Sequence, residues 1–458
     1  MRFRKIVFAA LIYVVLCFCS LSVSAQEDRG LSESAAGLDA VRSSHERTSS
    51  FSDLIKSGFS YNLKSLLFFD AQYPGHSTQN PENAFLDLYR YSSELHLRPD
   101  FFLETPLFSG VFKPRMISYY RWWEDGVTEG DANAHNRVFV NEWLMQLKPH
   151  SSLFISFGKE KLLWGPSFLV SPSNILFKDT EKANPKIEIE GKYLAKLIYL
   201  PSKTLTFTAI CETQKEEDQL QETVKPVRAL KLDIMGSSFF ASVVGYLQNA
   251  RFRLGSFGQW TASDALLLYY DGIVSKGTDA LYPIQYQDSP LGGTFIKKYD
   301  NSDKLFTTVT AGGAYTLLSG ATLSLEFLYN GIGYDDAEAG QYHQLRKTAA
   351  VHLFDKSSLS PLSQKTLAEA LNTGSPFLRR YYLMIQFQQR EIKNVLDVIL
   401  RYTHSPEERS GQFSTILEWQ VAKRMQLFNI NTIAIGGSDT EFKSVLSKSF
   451  MIGIEVHF

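Results

Sequence analysis

The sequence predicts an all-β protein, a transmembrane antiparallel β-barrel of about eighteen strands. Three observations carry that expectation. Short runs alternate apolar and polar residues from Tyr61 to the end, the connections between them alternate in length, and the last run stops on an aromatic residue with no polar tail. Successive side chains of a strand point to opposite sides, so strict alternation marks a strand with two unlike faces. In the final stretch Phe450, Ile452, Ile454, Val456 and Phe458 share one face, and Ser449, Met451, Gly453, Glu455 and His457 share the other. A soluble sheet ending on such a strand would expose an unpaired apolar edge. A closed barrel in a membrane has no edge and requires an apolar exterior.

The amino end points to export. Residues 1–25 read as a secretory signal peptide, with Arg2, Arg4 and Lys5 as the charged start, 6–21 as the apolar run, and Val23-Ser24-Ala25 as a small-residue site for cleavage near Ala25. Cys17 and Cys19 fall inside it, which leaves Cys211 as the single cysteine of the mature chain and excludes an internal disulfide. Residues 26–57 are Ser-rich and charged and read as a flexible periplasmic leader, in which Phe51-Ser-Asp-Leu-Ile can start a short helix. Residues 58–458 are assigned to the barrel. Past the signal peptide no apolar run reaches the roughly 18 residues that a membrane-crossing helix needs. With 47 Lys and Arg against 48 Asp and Glu, no gross attraction to nucleic acid is implied. The 22 Tyr and 33 Phe suit aromatic girdles at the two membrane surfaces.

Strands are expected near 62–72, 85–103, 110–124, 136–149, 152–164, 187–200, 204–214, 226–235, 238–248, 251–262, 265–276, 304–318, 321–332, 379–391, 393–405, 411–423, 425–436 and 445–458. Short turns join alternate pairs, as at 149–150, 202–203 and 319–320. Longer loops join the others, at 73–84, 125–135, 165–186, 215–225, 277–303, 333–378, 406–410 and 437–444, with one short link near Asn249. This sorting places both termini in the periplasm and the long loops outside the cell. The faces agree. Tyr381, Leu383, Ile385 and Phe387 oppose Arg380, Gln386, Gln388 and Arg390, and Cys211 falls on an apolar face with Leu205, Phe207 and Ala209. A charge aimed at lipid costs roughly 2–4 kcal/mol, so the charged faces are assigned to the lumen. That wall is expected to include Arg90, Glu94, Arg98, Arg115, Glu188, Lys192, Arg380, Arg390 and Arg401, of mixed sign and able to pair across strands. In the 333–378 loop, Ser360-Pro361 followed by Leu362, Leu367 and Leu371 predicts an amphipathic helix, with another over 341–354, together an outer lid or plug.

A ligand site is expected at 158–174, where a strand runs into a long loop. Trp164 can stack on a sugar ring, Lys159, Lys161 and Asn174 can bond hydroxyls or carboxylates, and Gly165-Pro166 forces a turn. His343 and His352 lie near Asp335, Asp336 and Asp355, but no motif connects them, so neither enzyme chemistry, a metal nor a cofactor is expected.

The carboxyl end resembles the terminal strand of bacterial outer-membrane β-barrels, which finish on Phe or Trp and are recognised there by the assembly machinery. That resemblance implies outer-membrane lipid and the assembly machinery as partners. Gly158-Lys159, Trp164-Gly165-Pro166-Ser167, Ser171 and Asn174 resemble a pattern of the capsule-assembly Wzi family, eighteen-stranded barrels that hold capsular polysaccharide at the surface. Leu163, Ser167 and the single Asn depart from the family's Trp-Trp-Gly-Pro-Gly…Asn-Asn. The resemblance implies a role in surface polysaccharide attachment. A diffusion channel for polar solutes and a surface adhesin are the competing expectations. If Phe458 anchors the assembly signal, deleting it lowers the membrane-inserted fraction in cells, read by fractionation; unchanged insertion would count against that role.

Overall fold

The computed structural model describes residues 58–458 apart from 178–180, 214–215, 218–222, 225, 287 and 355–358. The signal peptide, the leader and the short helix expected at Phe51 lie outside the described residues. The strands follow in chain order as β1 (Phe59–Pro74), β2 (Tyr91–Glu104), β3 (Phe108–Trp122), β4 (Ala132–His150), β5 (Leu153–Glu160), β6 (Lys192–Ser202), β7 (Leu205–Glu212), β8 (Glu216–Glu217), β9 (Thr223–Val224), β10 (Arg228–Met235) and β11 (Phe239–Gln248). Then come β12 (Arg251–Thr261), β13 (Leu266–Lys276), β14 (Tyr282–Gln285), β15 (Gly293–Ile296), β16 (Leu305–Thr316), β17 (Thr322–Asn330), β18 (Tyr381–Ile392), β19 (Leu396–Ser405), β20 (Ser410–Ala422), β21 (Met425–Ile435) and β22 (Leu446–His457).

β8–β9 and β14–β15 are separate hairpins, and the other 18 strands form one sheet in which each pairs with its neighbours along the chain. The sheet closes where β1 runs antiparallel to β22, from Lys64 opposite His457 to Pro74 opposite Leu446. The amide of Phe458 donates to the carbonyl of Leu63 (3.0 Å), so the last residue is tied to the first strand. Every strand read from the sequence is present. The largest shifts are at β2, expected from 85, and β6, expected from 187, where loop residues also alternate but leave the ladder.

Alternation sorts the faces as lipid and water require. Along β17, Leu323, Leu325 and Phe327 are exposed outward while Ser324, Glu326 and Leu328 are buried inward. β18 repeats the pattern, with Tyr381, Leu383 and Ile385 outside and Tyr382, Met384 and Gln386 inside. Two parts of the inner wall depart from it: Leu66, Phe68, Ile416, Phe428, Ile430 and Met451, from the strands around the closure, form one inward apolar cluster, and Leu194, Ile210, Val244, Tyr246 and Phe257 of β6–β12 form another.

One rim carries only brief connections, such as 151–152, 203–204 and 423–424. The other carries 75–90, 123–131, 161–191, 213–227, 277–304, 331–380, 406–409 and 436–445, with a single tight link at Asn249-Ala250. Both residues of that link have positive φ (52° and 60°), the backbone of a two-residue hairpin turn.

The largest connection folds into α1 (Asp336–His352) and α2 (Leu359–Leu371). Asp335 caps α1 by accepting from the Glu338 amide (2.9 Å), and the Glu338 carboxylate accepts from the Asp335 amide (3.1 Å), a reciprocal capping box. The helices pack on each other and on β14–β15 through Tyr342, Leu345, Ala349 and Leu367. Fully buried Arg346 bonds Thr78 Oγ1 (3.2 Å) and the Asp439 carbonyl (2.9 Å), and Gln79 donates to the Leu367 carbonyl (2.9 Å). These bonds tie the helices to the 75–90 and 436–445 connections. The expected lid is therefore a packed unit joining several connections of one rim.

Glu441 secures its base. Its carboxylate accepts from the Leu378 amide (2.7 Å) and from the Tyr382 hydroxyl. Burial pushes its pKa up to about 7 and the charge of nearby Glu408 adds to the rise, against the hydrogen bonds from Tyr382 and Leu378 and the Arg379 charge. An exposed glutamate ionises near 4.3, so the folded lid holds the extra proton between about 4.3 and 7. Stability of this contact is full at acid pH and is lost as pH rises through about 7. Hydrogen exchange at 436–445, corrected for intrinsic rates, should show protection falling between pH 5.5 and 8, and Glu441→Gln should flatten that dependence. An equal slope in the variant would refute the assignment.

Candidate functional site

The connection 161–191, expected from the sequence as an outer loop over 165–186, turns into the barrel. Ser167, Ser171, Ser173, Asn174, Leu176, Phe177 and Lys186 are all buried. Two wall carboxylates, both 0% exposed, hold its first half. Glu326 of β17 accepts the amides of Phe168 (2.6 Å) and Leu169 (2.9 Å). Asp271 of β13 accepts the Ser173 amide (2.8 Å) and lies 2.6 Å from the Ser171 hydroxyl. A buried carboxylate needs several donors to offset lost hydration, and backbone amides supply them. On the β6–β12 side, Trp164, Ile175, Leu176 and Phe177 pack with Leu194, Ile210, Val244, Tyr246 and Phe257, and the Tyr246 hydroxyl donates to the Ser173 carbonyl.

The second half crosses to the opposite wall. Lys186 reaches Glu418 of β20 (2.6 Å), Glu455 of β22 (2.8 Å) and Gln426 of β21 (2.8 Å), and lies 5.1 Å from the ring of Phe428. Asn184 approaches Met451, so the inward apolar cluster around the closure is covered by this loop. Glu188 takes a two-pronged bond from Arg115 (2.6 and 3.0 Å), and Arg98 donates to the Lys186 carbonyl (2.6 Å). Burial alone would raise the Glu188 carboxyl, but the bonds from Arg115 and the charges of Arg98 and Arg115 hold it below the usual range. One loop is thus bonded to strands on both sides of the lumen and must narrow it.

The motif residues are the loop's own architecture. Gly165 has φ +91°, and a Cβ there would collide with Asp271 Oδ2 and Ser171 Oγ. Trp164 packs in the apolar cluster, and its indole N–H points at the Ser173 carbonyl (3.4 Å). Asn174 donates to the Leu162 carbonyl (2.8 Å) and accepts the Phe177 amide (3.2 Å). Lys159 pairs with Glu190, and Lys161 pairs with Glu181 (2.6 Å). The segment's polar groups are committed to this chain: Trp164 and Asn174 lie inside the barrel, while Lys159 shares the outward face of β5 with Ile155 and Phe157, over the Tyr193 ring.

The expected lumen residues separate into three groups. Glu94 and Arg98 of β2, Arg115 of β3, Lys192 of β6 and Arg401 of β19 belong to strands, and Arg390 is exposed near the short-turn end of β18. Glu94 bonds His96 (2.9 Å), Lys192 pairs with Glu212 (3.5 Å), and Arg401 donates to Gln386 (2.8 Å) beside the ring of Phe168 (5.7 Å). Glu188 is a loop residue rather than a wall residue, because β6 starts only at Lys192. Arg90 and Arg380 precede their strands and sit at the loop rim, Arg90 pairing with Glu124 (3.2 Å) and Arg380 with Asp335 (3.3 Å). Pairing across strands, as expected from the mixed signs, is seen in Lys113–Glu142 (2.9 Å) and Lys196–Glu160 (2.6 Å). In the lid, His343 faces Glu408 (3.4 Å), Asp336 pairs with Arg379, and Asp335 caps α1. Asp355 lies outside the described residues.

Sequence reasoning passed over Asp271, Glu326 and Lys186. The available signal was a lone acid in an apolar strand, in Tyr269-Tyr270-Asp271-Gly272 and Leu325-Glu326-Phe327, placed in the inward register.

This architecture defines a class: a closed antiparallel barrel of 18 strands with the fold of outer-membrane porins. Among solved structures, the chain is similar to OccK7 (OpdD) of Pseudomonas aeruginosa, with 11% identity over 87% of this chain and 98% of that one and a TM-score of 0.51. OccK11 (OpdR) of the same organism gives 10% identity over 87% and 96%, with a TM-score of 0.50. OccAB1 of Acinetobacter baumannii gives 11% identity over 90% and 99%, with a TM-score of 0.50. At such identities the likeness is one of fold. No protein-family model and no curated protein matches the chain, so the local resemblance to the Wzi family has no counterpart in these comparisons.

Gly165→Ala should dislodge the first half of the loop while leaving the barrel closed. Limited proteolysis of the purified barrel should then cut within 161–177, with heat-modifiable gel mobility retained. Continued resistance to cleavage would show that the close approach to Asp271 is dispensable.

Proposed function

We propose that the chain is a porin-type barrel of the bacterial outer membrane that passes small polar solutes. The observation that carries this reading is the inward loop 161–191, bonded to opposite walls within a lumen lined by charges of both signs. About eighteen strands enclose a lumen wide enough for water, and a loop folded into it sets a narrower passage. Paired charges leave a polar path without a dominant field of either sign, which suits hydrated solutes over one class of ion. The fold shared with OccK7, OccK11 and OccAB1 supports the same reading.

In this reading the apolar exterior meets outer-membrane lipid, Phe458 is presented to the assembly machinery, and the long connections with the lid lie outside the cell. The chemistry of the site is binding and passage, with no covalent step. The capsule-associated reading needs Lys159, Lys161, Trp164 and Asn174 displayed to a surface polysaccharide. Trp164 and Asn174 are engaged within the barrel and Lys159 and Lys161 are paired with Glu190 and Glu181, which withdraws that support.

Single-channel recording in planar bilayers tests the proposal. The purified intact barrel should carry a steady ohmic current. Replacing both Arg115 and Lys186 by Met should release the far end of the loop, with a larger and noisier conductance. Silence from both proteins, with the barrel folded, would overturn the channel reading.

A further inference from the structure

Where the inward loop meets the wall of β10–β12 it leaves a cavity of about 290 Å³. Trp164, Gly165 and Pro166 line one side, and Lys231, Phe240, Phe257 and Gln259 line the other. Gln259 lies on the inward face of β12 and is exposed, so the cavity opens to the water of the lumen. We infer that this cavity is a subsite for a neutral saccharide ring, formed by Trp164, Lys231, Phe240 and Gln259; the inference rests on the channel reading only for how the sugar arrives.

Size and lining both fit. The volume lies just below the span of ligand cavities, about 300–1,000 Å³, and suits one small ring rather than an extended chain. The lining is mixed, with aromatic rings beside polar groups, and a sugar presents both CH faces and hydroxyls. Here the partly buried rings of Trp164 and Phe240 supply apolar surface, as the CH face of a pyranose requires, with buried Phe257 behind them. Gln259 offers both a donor and an acceptor to ring hydroxyls.

Charge selects against an ionic guest. The Lys231 ammonium lies 5.8 Å from the Trp164 ring and 5.6 Å from the Phe257 ring, and it is paired with Asp233 on the same strand. Its charge is already balanced. A carboxylate entering the cavity would have to displace Asp233, whereas a hydroxyl can accept a hydrogen bond from the ammonium with the pair intact.

The loop geometry explains why the cavity exists. Gly165 must run against Asp271, and the Trp164 indole N–H points at the Ser173 carbonyl (3.4 Å), which fixes the ring beside the turn at Pro166. Trp164 therefore combines two roles, packing one part of its surface in the loop's apolar cluster and offering another to the cavity.

Equilibrium binding to the detergent-solubilised full chain tests this without requiring conduction. Titration calorimetry with glucose and with maltose should show saturable binding. Trp164→Ala should weaken it roughly tenfold, the scale of a lost stacking contact with its buried area. Gln259→Leu should weaken it without disturbing the loop, so the assignment stays testable if Trp164→Ala loosens the fold. Trp260→Ala, on the outward face, should leave it unchanged. Absence of saturable sugar binding, binding indifferent to Gln259→Leu, or benzoate binding more tightly than either sugar would each overturn the inference. A barrel that binds sugar but carries no current would sink the channel reading and leave the subsite standing; the reverse would do the opposite.

Discussion

Two carboxylates on the inner wall, Asp271 and Glu326, set the interior of this barrel. Neither has access to water, and each is satisfied by backbone amides or a hydroxyl of the 161–191 loop. Stripped of those donors, each would carry a desolvation penalty of several kcal/mol. The loop in turn has no ladder of its own, so its amides need acceptors inside the lumen. Wall and loop are therefore mutually required, and the barrel with this loop withdrawn is the less stable object. The ion pairs at Lys186 and Glu188 then only have to aim the second half of a loop already held by its first.

The same demand explains the apolar patch on the inner wall. Leu66, Phe68, Phe428 and Ile430 would be costly facing a water-filled lumen, yet they are buried because Asn184 and Lys186 lie over them. The Lys186 ammonium itself stands over the Phe428 ring (5.1 Å) while it pairs with Glu418 and Glu455, a cation–π contact beside two ion pairs. The barrel is thus a bicoloured tube, polar where its wall faces the lumen and apolar where the loop rests.

Much of this was legible in the sequence. Eighteen strands could be read because lipid outside and water inside impose a period of two that no soluble context would hold so long, as Tyr381 to Gln386 illustrates. The sorting of connections and both lid helices were also visible, since Ser360-Pro361 and the leucines after it carry local signals. The inward loop was not. Whether a long Ser/Pro-rich connection turns out or in depends on acceptors about 100 to 160 residues away, at Asp271 and Glu326, and no local period reports that. For the same reason Trp164, Lys159, Lys161 and Asn174 stood out as a motif for the right stretch, while their bonds to the chain itself came only with the fold. Glu188 was misplaced because Ile187, Ile189 and Gly191 mimic the alternation of the strand that follows.

The lid has a bearing on how the molecule is made. Arg346 joins Thr78, near the beginning of the barrel, to Asp439, just before its final strand. Contacts so far apart along the chain form slowly and only when both ends have arrived. The Arg346 cluster consequently acts as a keystone: the arch over the rim can be set only once the first and last staves of the barrel stand side by side.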